Sequence, residues 1–175
     1  MTVNNSIITN RLLIRPFELE HISEEYLSWM NNKKLLSFSE QRHKNHTFDT
    51  AKKYLDSFKN TENMFWAIEE TACEIGHIGN INAYIDRNNL TADLGILIGN
   101  VDVQNKGYAT EAWKAVCKYL FLKKDIRKIT AGALSINFPM LKLMKKAGMK
   151  EDGKRLRHYI VNGKYVDLQY MAIFK

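Results

Sequence analysis

The sequence predicts a single α/β domain built on a mixed, mostly antiparallel sheet. Strand-type apolar runs alternate with stretches of helical periodicity in the order β-α-α-β-β-β-α-β-α-β-β. The chain has 175 residues, 45% of them apolar, which is enough for one hydrophobic core and argues against disorder. Because no internal repeat or linker divides the chain, we expect residues 1–175 to form one domain.

The N-terminal part predicts one strand and two helices. Residues 12–15 have the pattern of a short strand, and residues 20–30 have apolar side chains spaced for one helix face. A polar, irregular stretch follows at 35–46. Thr47 is the expected N-cap of the second helix. The buried stripe of that helix would contain Phe48, Ala51, Tyr54, Leu55 and Phe58.

The middle of the chain predicts three strands, at 64–69, 74–84 and 90–98, followed by a helix at 108–122 and a strand at 128–134. These elements would supply the centre of the sheet and the longest helix.

The C-terminal part predicts one helix and a hairpin. Asn137 would cap the helix, and Gly148 stands where a C-terminal glycine belongs. Two strands at 149–158 and 165–173 flank an Asn-Gly pair at 162–163, which is a strong hairpin signal.

One loop organises the rest of the chain, because an apolar strand leads into it and an amphipathic helix follows it. Its sequence is Gln104-Asn105-Lys106-Gly107-Tyr108-Ala109. A strand–loop–helix junction points unpaired backbone N–H groups and the positive end of the helix dipole at one spot, which suits a phosphate. Gly107 lets the backbone approach such an anion closely. Neither G-x-x-x-x-G-K-S/T nor G-x-G-x-x-G occurs in the chain.

The loop matches the pattern Q/R-x-x-G-x-G/A at Gln104, Gly107 and Ala109. It resembles the acetyl-CoA loop of the GCN5-related N-acetyltransferases, the GNAT superfamily. The string Gly-Tyr-Ala-Thr-Glu-Ala at 107–112 is similar to the branch of ribosomal-protein-alanine N-acetyltransferases, the RimJ/RimL-like enzymes. The resemblance covers nearly the whole chain. Asn105 departs from it, because the family usually has a second glycine at that position.

The resemblance implies a GNAT fold with its sheet splayed at the acetyl-CoA loop. It also implies transfer of an acetyl group from acetyl-CoA to a primary amine, by direct attack of the amine on the thioester. The residues expected to bind the coenzyme are Leu97, Ile98, Gly99, Gln104, Asn105, Lys106, Gly107, Tyr108, Ala109, Thr110 and Asn137. Asn137 has a second interpretation, as an N-cap alone.

Two residues are candidates for the general base. Asp93 opens the strand beside the coenzyme, where the family often has a carboxylate that acts through water; the alternative is a solvated carboxylate at a strand end. His77 lies on the neighbouring strand and has a suitable intrinsic pKa. Its alternative is a surface or hydrogen-bonded strand histidine.

The group that protonates the departing thiolate is less defined. Many relatives have a tyrosine where this chain has Met144, which cannot donate a proton. Tyr159 is the candidate acid, in the strand before the closing hairpin, with Ser135, His158 and water as alternatives.

The acceptor amine is expected to contact the N-terminal helices and the stretch at 35–46. Trp29, Arg42 and His43 are the candidate substrate-binding residues, and a solvated loop is the alternative for the last two. The acceptor classes are a small metabolite, such as an amino sugar or a polyamine, and a protein N-terminus. A non-catalytic acyl-CoA-binding or regulatory domain is the alternative function.

Composition narrows the classes of partner. The net charge of +7 is spread along the chain without a nucleic-acid recognition motif, and it suits a coenzyme with several phosphates better than DNA or RNA. No stretch has the length and apolarity of a signal peptide or membrane helix. The two cysteines, Cys73 and Cys117, fit a reducing cytoplasm, and no residue spacing suggests a metal. A homodimer is among the oligomeric states left open.

Overall fold

The computed structural model describes residues 5–175, which form one eight-stranded sheet with helices on both faces. The strands are β1 Ile7–Ile8, β2 Leu12–Pro16, β3 Met64–Glu70, β4 Gly76–Asp86, β5 Thr91–Ile98, β6 Lys128–Leu134, β7 Lys150–Val161 and β8 Lys164–Phe174. The helices are α1 Glu24–Asn31, α2 Phe48–Asp56, α3 Tyr108–Lys123 and α4 Phe138–Lys146.

The strand order across the sheet is β1-β2-β3-β4-β5-β6-β8-β7. Every neighbouring pair is antiparallel except β5 and β6, which run parallel. The predicted mixed, mostly antiparallel sheet is therefore confirmed.

The parallel pair is also the shortest contact between central strands. Thr91, Ala92 and Asp93 pair with Lys128, Ile129 and Thr130, and the pairing stops there. Beyond Asp93 and Thr130 the two strands diverge, although β5 continues to Ile98 and β6 to Leu134. This opening is the splay that the GNAT resemblance predicted. Because the strands are parallel, both of their C-terminal ends lie at its open end.

The two faces of the sheet carry different cores. Against one face, α3 and α4 pack in a large cluster that includes Trp66, Trp113 and Met144. Against the other face, α1 and α2 pack in a smaller cluster that includes Phe17, Tyr26 and Trp29. Side chains alternate along a strand, so each residue of β4 and β5 can be assigned to one of these layers.

The N-terminal region departs most from the prediction. The helix expected at 20–30 begins later, at Glu24, because the Ser23 side chain accepts a hydrogen bond from the backbone N–H of Tyr26 and caps it there. A short 3-10 turn at Leu19–His21 precedes it. The irregular stretch at 35–46 contains another 3-10 turn, at Glu40–His43.

Three smaller errors also concern local detail. The strand Ile7–Ile8 was not predicted, because two residues are too few for a periodic signal. Phe48 is exposed rather than buried, since it is the first residue of α2. The strand expected at 74–84 starts at Gly76 and extends to Asp86.

The cap and turn predictions are confirmed. Thr47 accepts a hydrogen bond from the backbone N–H of Thr50, and Asn137 accepts one from that of Met140. Asn162 and Gly163 both have positive φ, at 49° and 73°, as the two central residues of a type I′ hairpin require.

The remaining sequence-level features concern cysteines, membranes and metals. Cys117 is a buried free thiol, as predicted, and Cys73 is an exposed one. Burial raises the pKa of Cys117 to about 12. Within residues 5–175, no helix is long and apolar enough to cross a membrane. The same residues contain no group of three or more His, Cys, Asp or Glu side chains placed to hold a metal ion.

Candidate active site

The loop at the open end of the splay connects β5 to α3. It begins with a 3-10 turn at Val101–Val103, which the Asn100 side chain caps. Asn105 and Gly107 both adopt the left-handed conformation, with φ of 62° and 86°. Asparagine tolerates this conformation better than other non-glycine residues. Asn105 can therefore hold a left-handed conformation at the position where the family usually has a second glycine.

The first turn of α3 presents unpaired donors. The N-cap Gly107 has no side chain, and no other side chain of the described residues caps this helix end. The first intrahelical hydrogen bond runs from the Glu111 N–H to the Gly107 carbonyl at 3.1 Å. The N–H groups of Tyr108, Ala109 and Thr110 are therefore left for a ligand, at the positive end of a 16-residue helix.

Arg11, which the sequence analysis did not single out, holds this loop in place. Its Nε donates to Glu111 Oε2 at 2.8 Å, its Nη1 donates to the Lys106 carbonyl at 3.1 Å, and its guanidinium lies 4.3 Å from the centre of the Tyr108 ring. The Thr9 hydroxyl donates to Glu111 Oε1 at 2.6 Å. Glu111 thus anchors α3 to the start of β2.

The ionisation of Glu111 follows from these contacts. Burial alone would raise its pKa, but hydrogen bonds from Thr9 and Arg11 lower it below the ordinary value. Its carboxylate is therefore charged at neutral pH and pairs with the Arg11 guanidinium at 2.7 Å.

The backbone N–H of Tyr108 faces the candidate site, whereas its side chain does not. The ring is buried in the core beside α3, and its hydroxyl donates to Glu70 Oε1 at 3.4 Å. Glu70 is itself buried and accepts hydrogen bonds from the N–H groups of Ala72, Cys73 and Ile75. Although burial would raise the pKa of Glu70, these donors lower it. Of Tyr108, only the backbone N–H group therefore stays a candidate for binding the coenzyme.

The other predicted coenzyme residues lie around the same opening. Leu97 and Ile98 are at the end of β5, where that strand has no partner on the side of β6. Gly99 follows them, and its N–H donates to the Ile78 carbonyl at 2.9 Å. The Gln104 side chain donates to the Ile98 carbonyl at 3.4 Å. Asn137 begins α4 three residues after β6 ends, so it lies at the open end of the opposite strand.

Asp93 lies at the apex of the splay, as the last residue of β5 paired with β6. Its Oδ2 accepts a hydrogen bond from the Thr130 hydroxyl at 2.7 Å. The carboxyl remains open to solvent, yet the surrounding protein removes enough of its hydration to raise its pKa, against the opposing effect of Thr130. A carboxylate with a raised pKa is a stronger base than an ordinary surface aspartate.

His77 has a different environment. Its ring packs among Phe17, His21, Tyr26 and Trp29, and its Nε2 lies 2.9 Å from the Gly79 carbonyl. Burial lowers its pKa to about 4, with repulsion from His21 adding to the effect. The imidazole is neutral at physiological pH and a weak base. This environment favours the interpretation of His77 as a hydrogen-bonded strand histidine.

The candidate acid, Tyr159, and Met144, which stands where many relatives have a tyrosine, lie on two different elements. Tyr159 is on β7, opposite Val166 of β8, with its ring 4.8 Å from that of His158. Met144 is completely buried in the core beside α3, so this position contributes packing. Tyr159 stays the candidate acid.

The predicted acceptor residues occupy three different environments. Trp29 is buried and packs directly against Gly99, where a Cβ atom would overlap its indole. Arg42 donates from Nη1 to the Ser39 carbonyl at 2.9 Å and from Nη2 to the Ile160 carbonyl at 3.2 Å, and it pairs with Glu40. These contacts tie the turn at Glu40–His43 to the β7–β8 hairpin. His43 is exposed.

Comparisons with known proteins agree with this geometry. The sequence profile of the acetyltransferase (GNAT) domain matches residues 11–150. An uncharacterised N-acetyltransferase of Bacillus subtilis, YnaD, is 31% identical over 176 residues, which cover 97% of this chain and 96% of that protein.

Two solved structures illustrate the range of enzymes with this fold. Spermidine N-acetyltransferase from Vibrio cholerae, in complex with CoA and spermine, is 22% identical with a TM-score of 0.81 over 95% of this chain and 96% of that one. Ribosomal-protein-S5-alanine acetyltransferase from Vibrio fischeri is 16% identical with a TM-score of 0.81 over 97% and 96% of the two chains. At these identities the likeness concerns the fold.

Proposed function

We propose that this chain, which belongs to the GNAT family of acetyltransferases, transfers an acetyl group from acetyl-CoA to a primary amine by direct attack of the amine on the thioester. The observation that carries the proposal is the unpaired edge of β5 beyond Asp93, which leads directly to the uncapped N-terminus of α3. An extended ligand that ends in phosphates fits this sequence of groups. In the Vibrio cholerae enzyme with the same fold, the complex contains CoA.

The coenzyme would be held mainly by backbone. The N–H groups of Tyr108, Ala109 and Thr110 suit its pyrophosphate, with Lys106 adding positive charge beside them. The free edge of β5 at Leu97–Gly99 can pair with the amides of pantetheine as an added strand would. Asn137 lies at the end of β6, across the same opening, in reach of a ligand that enters it.

Asp93 supplies the base in this proposal. At the apex of the opening its carboxylate can accept a proton from the acceptor ammonium, directly or through one water molecule. The Thr130 hydroxyl fixes its orientation at 2.7 Å. His77 is not needed for this step, since its ring is packed among aromatic side chains and its Nε2 lies against the Gly79 carbonyl. Tyr159 or water would return a proton to the thiolate.

A non-catalytic acyl-CoA-binding domain is the second candidate function. The observation in its favour is Met144, completely buried where relatives often have a tyrosine acid. This candidate predicts coenzyme binding without turnover. The acetyltransferase proposal also allows for Met144, because water can protonate the thiolate in place of a tyrosine.

A screen of primary amines with acetyl-CoA, following the release of free CoA thiol, separates the two functions. The screen should include an amino sugar, a polyamine and a short peptide with a free N-terminus, with coenzyme binding measured by calorimetry in parallel. Thiol release that depends on an amine supports the acetyltransferase. Tight coenzyme binding with no release across the panel would favour the non-catalytic domain.

A further inference from the structure

One face of the central strands carries polar side chains where the other carries core residues. Along β4, Ile81 and Ala83 belong to the core beside α3, so Asn80, Asn82 and Tyr84 face α1 and α2. Along β5, Ala92 and Leu94 belong to the same core, so Asp93 lies on the face of the two asparagines. Tyr84 and Asp93 are direct cross-strand partners.

Asn80 is the least expected of these residues, because it is 8% exposed and its amide is unpartnered. Within residues 5–175, no group donates a hydrogen bond to its side chain or accepts one from it. Trp113 Nε1 is the single fully enclosed unpartnered side-chain atom in that part of the chain. The Asn80 amide therefore opens onto its small remaining accessible surface, which lies on the face of α1 and α2.

Tyr26, on the helix α1 that packs over this face, is a second buried polar residue without a hydrogen-bond partner for its side chain among residues 5–175. Its side chain is 3% exposed, and in the described residues its hydroxyl also has no hydrogen-bond partner. Its ring belongs to the same cluster as Ala67, the β3 residue directly opposite Asn80. Burial raises the pKa of Tyr26 to about 12, so the hydroxyl stays protonated as a donor.

The side chain of Asn82 extends across to the neighbouring strand on the same face. Gly95 is the cross-strand partner of Asn82, and a Cβ atom there would lie 2.8 Å from Asn82 Oδ1. The Asn82 amide thus leans over β5 at Gly95, two residues after Asp93 on the same strand. Farther along the same face, the hydroxyls of Tyr54 and Tyr84 lie 3.0 Å apart.

We infer that the acceptor is a primary amine that also carries a neutral hydrogen-bonding group, a hydroxyl or an amide, and that Asn80 and Tyr26 bind that group while Asp93 faces the amine, directly or through water. The inference rests on the proposed function. A side-chain amide both donates and accepts, and a phenol does the same, so together they complement a hydroxyl or a carboxamide. Buried polar groups of this kind normally have partners, which the acceptor would supply.

The charge of the site argues against a polyamine. Residues 80–84 of β4 and 93–97 of β5 include one carboxylate, Asp93, which matches a single ammonium group. The chain as a whole has a net charge of +7, which repels a polycation and attracts the anionic coenzyme. Asparagine amides add no charge that would offset this repulsion.

Four amines with acetyl-CoA test the inference: alaninamide, glucosamine, spermidine and n-butylamine. We expect kcat/KM for alaninamide or glucosamine to exceed that for n-butylamine and spermidine by about 10-fold or more, the effect of one or two added hydrogen bonds. A preference for alaninamide indicates a peptide N-terminus as the natural source, and a preference for glucosamine indicates an amino sugar.

Two variants locate the effect. Tyr26→Phe and Asn80→Leu should each raise KM for the preferred acceptor by roughly 3- to 10-fold and leave n-butylamine kinetics and acetyl-CoA affinity unchanged. Tyr119→Phe on α3, which loses a hydrogen bond to Asn5 in the other layer, is the matched control and should change neither. Tyr26→Phe removes one oxygen atom, so it carries the test if Asn80→Leu does not fold.

The outcomes separate this inference from the function on which it rests. Turnover of spermidine or n-butylamine as fast as that of alaninamide and glucosamine overturns the inference and leaves the acetyltransferase intact. Variants that lower the rate for all four amines equally show a structural role and also overturn it. Coenzyme binding without thiol release for any amine overturns the proposed function, and the inference with it.

Discussion

The two faces of the sheet build their halves of the candidate site in different ways. On the side of α3, one continuous stretch from the end of β5 to the first turn of the helix provides the groups proposed to bind the coenzyme, and most of them are backbone N–H groups. On the side of α1 and α2, the groups are side chains from α1, β4 and β5 that meet only in the folded chain.

From this difference we expect the coenzyme half to tolerate more side-chain substitutions than the acceptor half. A backbone site tolerates many side chains as long as the turn keeps its dihedral angles, as Asn105 does in place of glycine. In a site made of side chains, each substitution can change which ligand binds. The fold is shared with enzymes whose names specify spermidine and ribosomal protein S5, so one fold serves different acceptors.

The largest expected effect is on the acceptor half, at Asp93. Asp93→Asn should lower turnover at neutral pH by about 10²-fold or more, the usual scale for loss of a general base, with acetyl-CoA affinity little changed. Because the pKa of Asp93 is raised, wild-type kcat/KM should rise with pH through that pKa, and the variant should lack this limb. A pH–rate profile for both proteins checks this.

Folding stability should depend on the ionisation of Asp93 in the opposite direction to turnover, falling as pH rises. A carboxyl with a raised pKa in the folded state contributes stability that is fully present below its unfolded value and is lost as pH rises through the folded pKa. Asp93→Asn should therefore have a Tm at neutral pH equal to or above that of the wild type. If instead the pH–rate profile of Asp93→Asn is the same as that of the wild type, the base is another group or water.

The next effect is on the coenzyme half, at Gly107. Gly107→Val should weaken acetyl-CoA binding by roughly 10- to 100-fold, because a β-branched residue at φ of 86° costs about 1–3 kcal/mol and would distort the loop. A Cβ at this position would meet only Arg11 Nη2, at 3.6 Å, so backbone conformation rather than a clash with the protein is the cause. Calorimetry with acetyl-CoA measures the loss.

Gly163→Val is the matched control for that variant. Gly163 also has positive φ, at 73°, but lies in the β7–β8 hairpin. It should lower Tm without a comparable loss of coenzyme affinity. Equal loss of affinity in both variants would show that the coenzyme site responds to general destabilisation instead of to its loop.

The smallest effect concerns the rim formed by the turn at Glu40–His43. Arg42→Ala should raise acceptor KM by roughly 3- to 10-fold, because it removes about 1 kcal/mol for each hydrogen bond to Ser39 and Ile160 and loosens the hairpin. Acetyl-CoA affinity should not change. His43→Ala, in the same turn, separates direct binding from this indirect effect: a rise in KM for His43→Ala alone would mean that His43 contacts the acceptor.

The sequence predicted those parts of the molecule that depend on neighbouring residues. The loop, the caps at Thr47 and Asn137 and the Asn-Gly hairpin are all local, so periodicity and turn chemistry were sufficient. The order of elements followed, except for the two-residue strand β1.

The missed features depend on contacts between distant residues. Arg11 and Glu111 are 100 positions apart, and nothing in the spacing of either residue indicates that they pair. Asn80 and Asn82 look like ordinary strand residues until the register shows which face they occupy. His77 was weighed by its intrinsic pKa, whereas burial among residues of other elements and repulsion from His21 lower that pKa.

The contact between Trp29 and Gly99 gives the protein an optical property. Of its three tryptophans, Trp66 and Trp113 are enclosed in the core beside α3, and Trp29 packs against Gly99, directly after the strand that the coenzyme would line. An indole changes its emission with the polarity of its surroundings. Intrinsic fluorescence of the unlabelled chain therefore contains a signal from the junction of the two half-sites, and replacing Trp29 with phenylalanine gives the blank against which that signal is read.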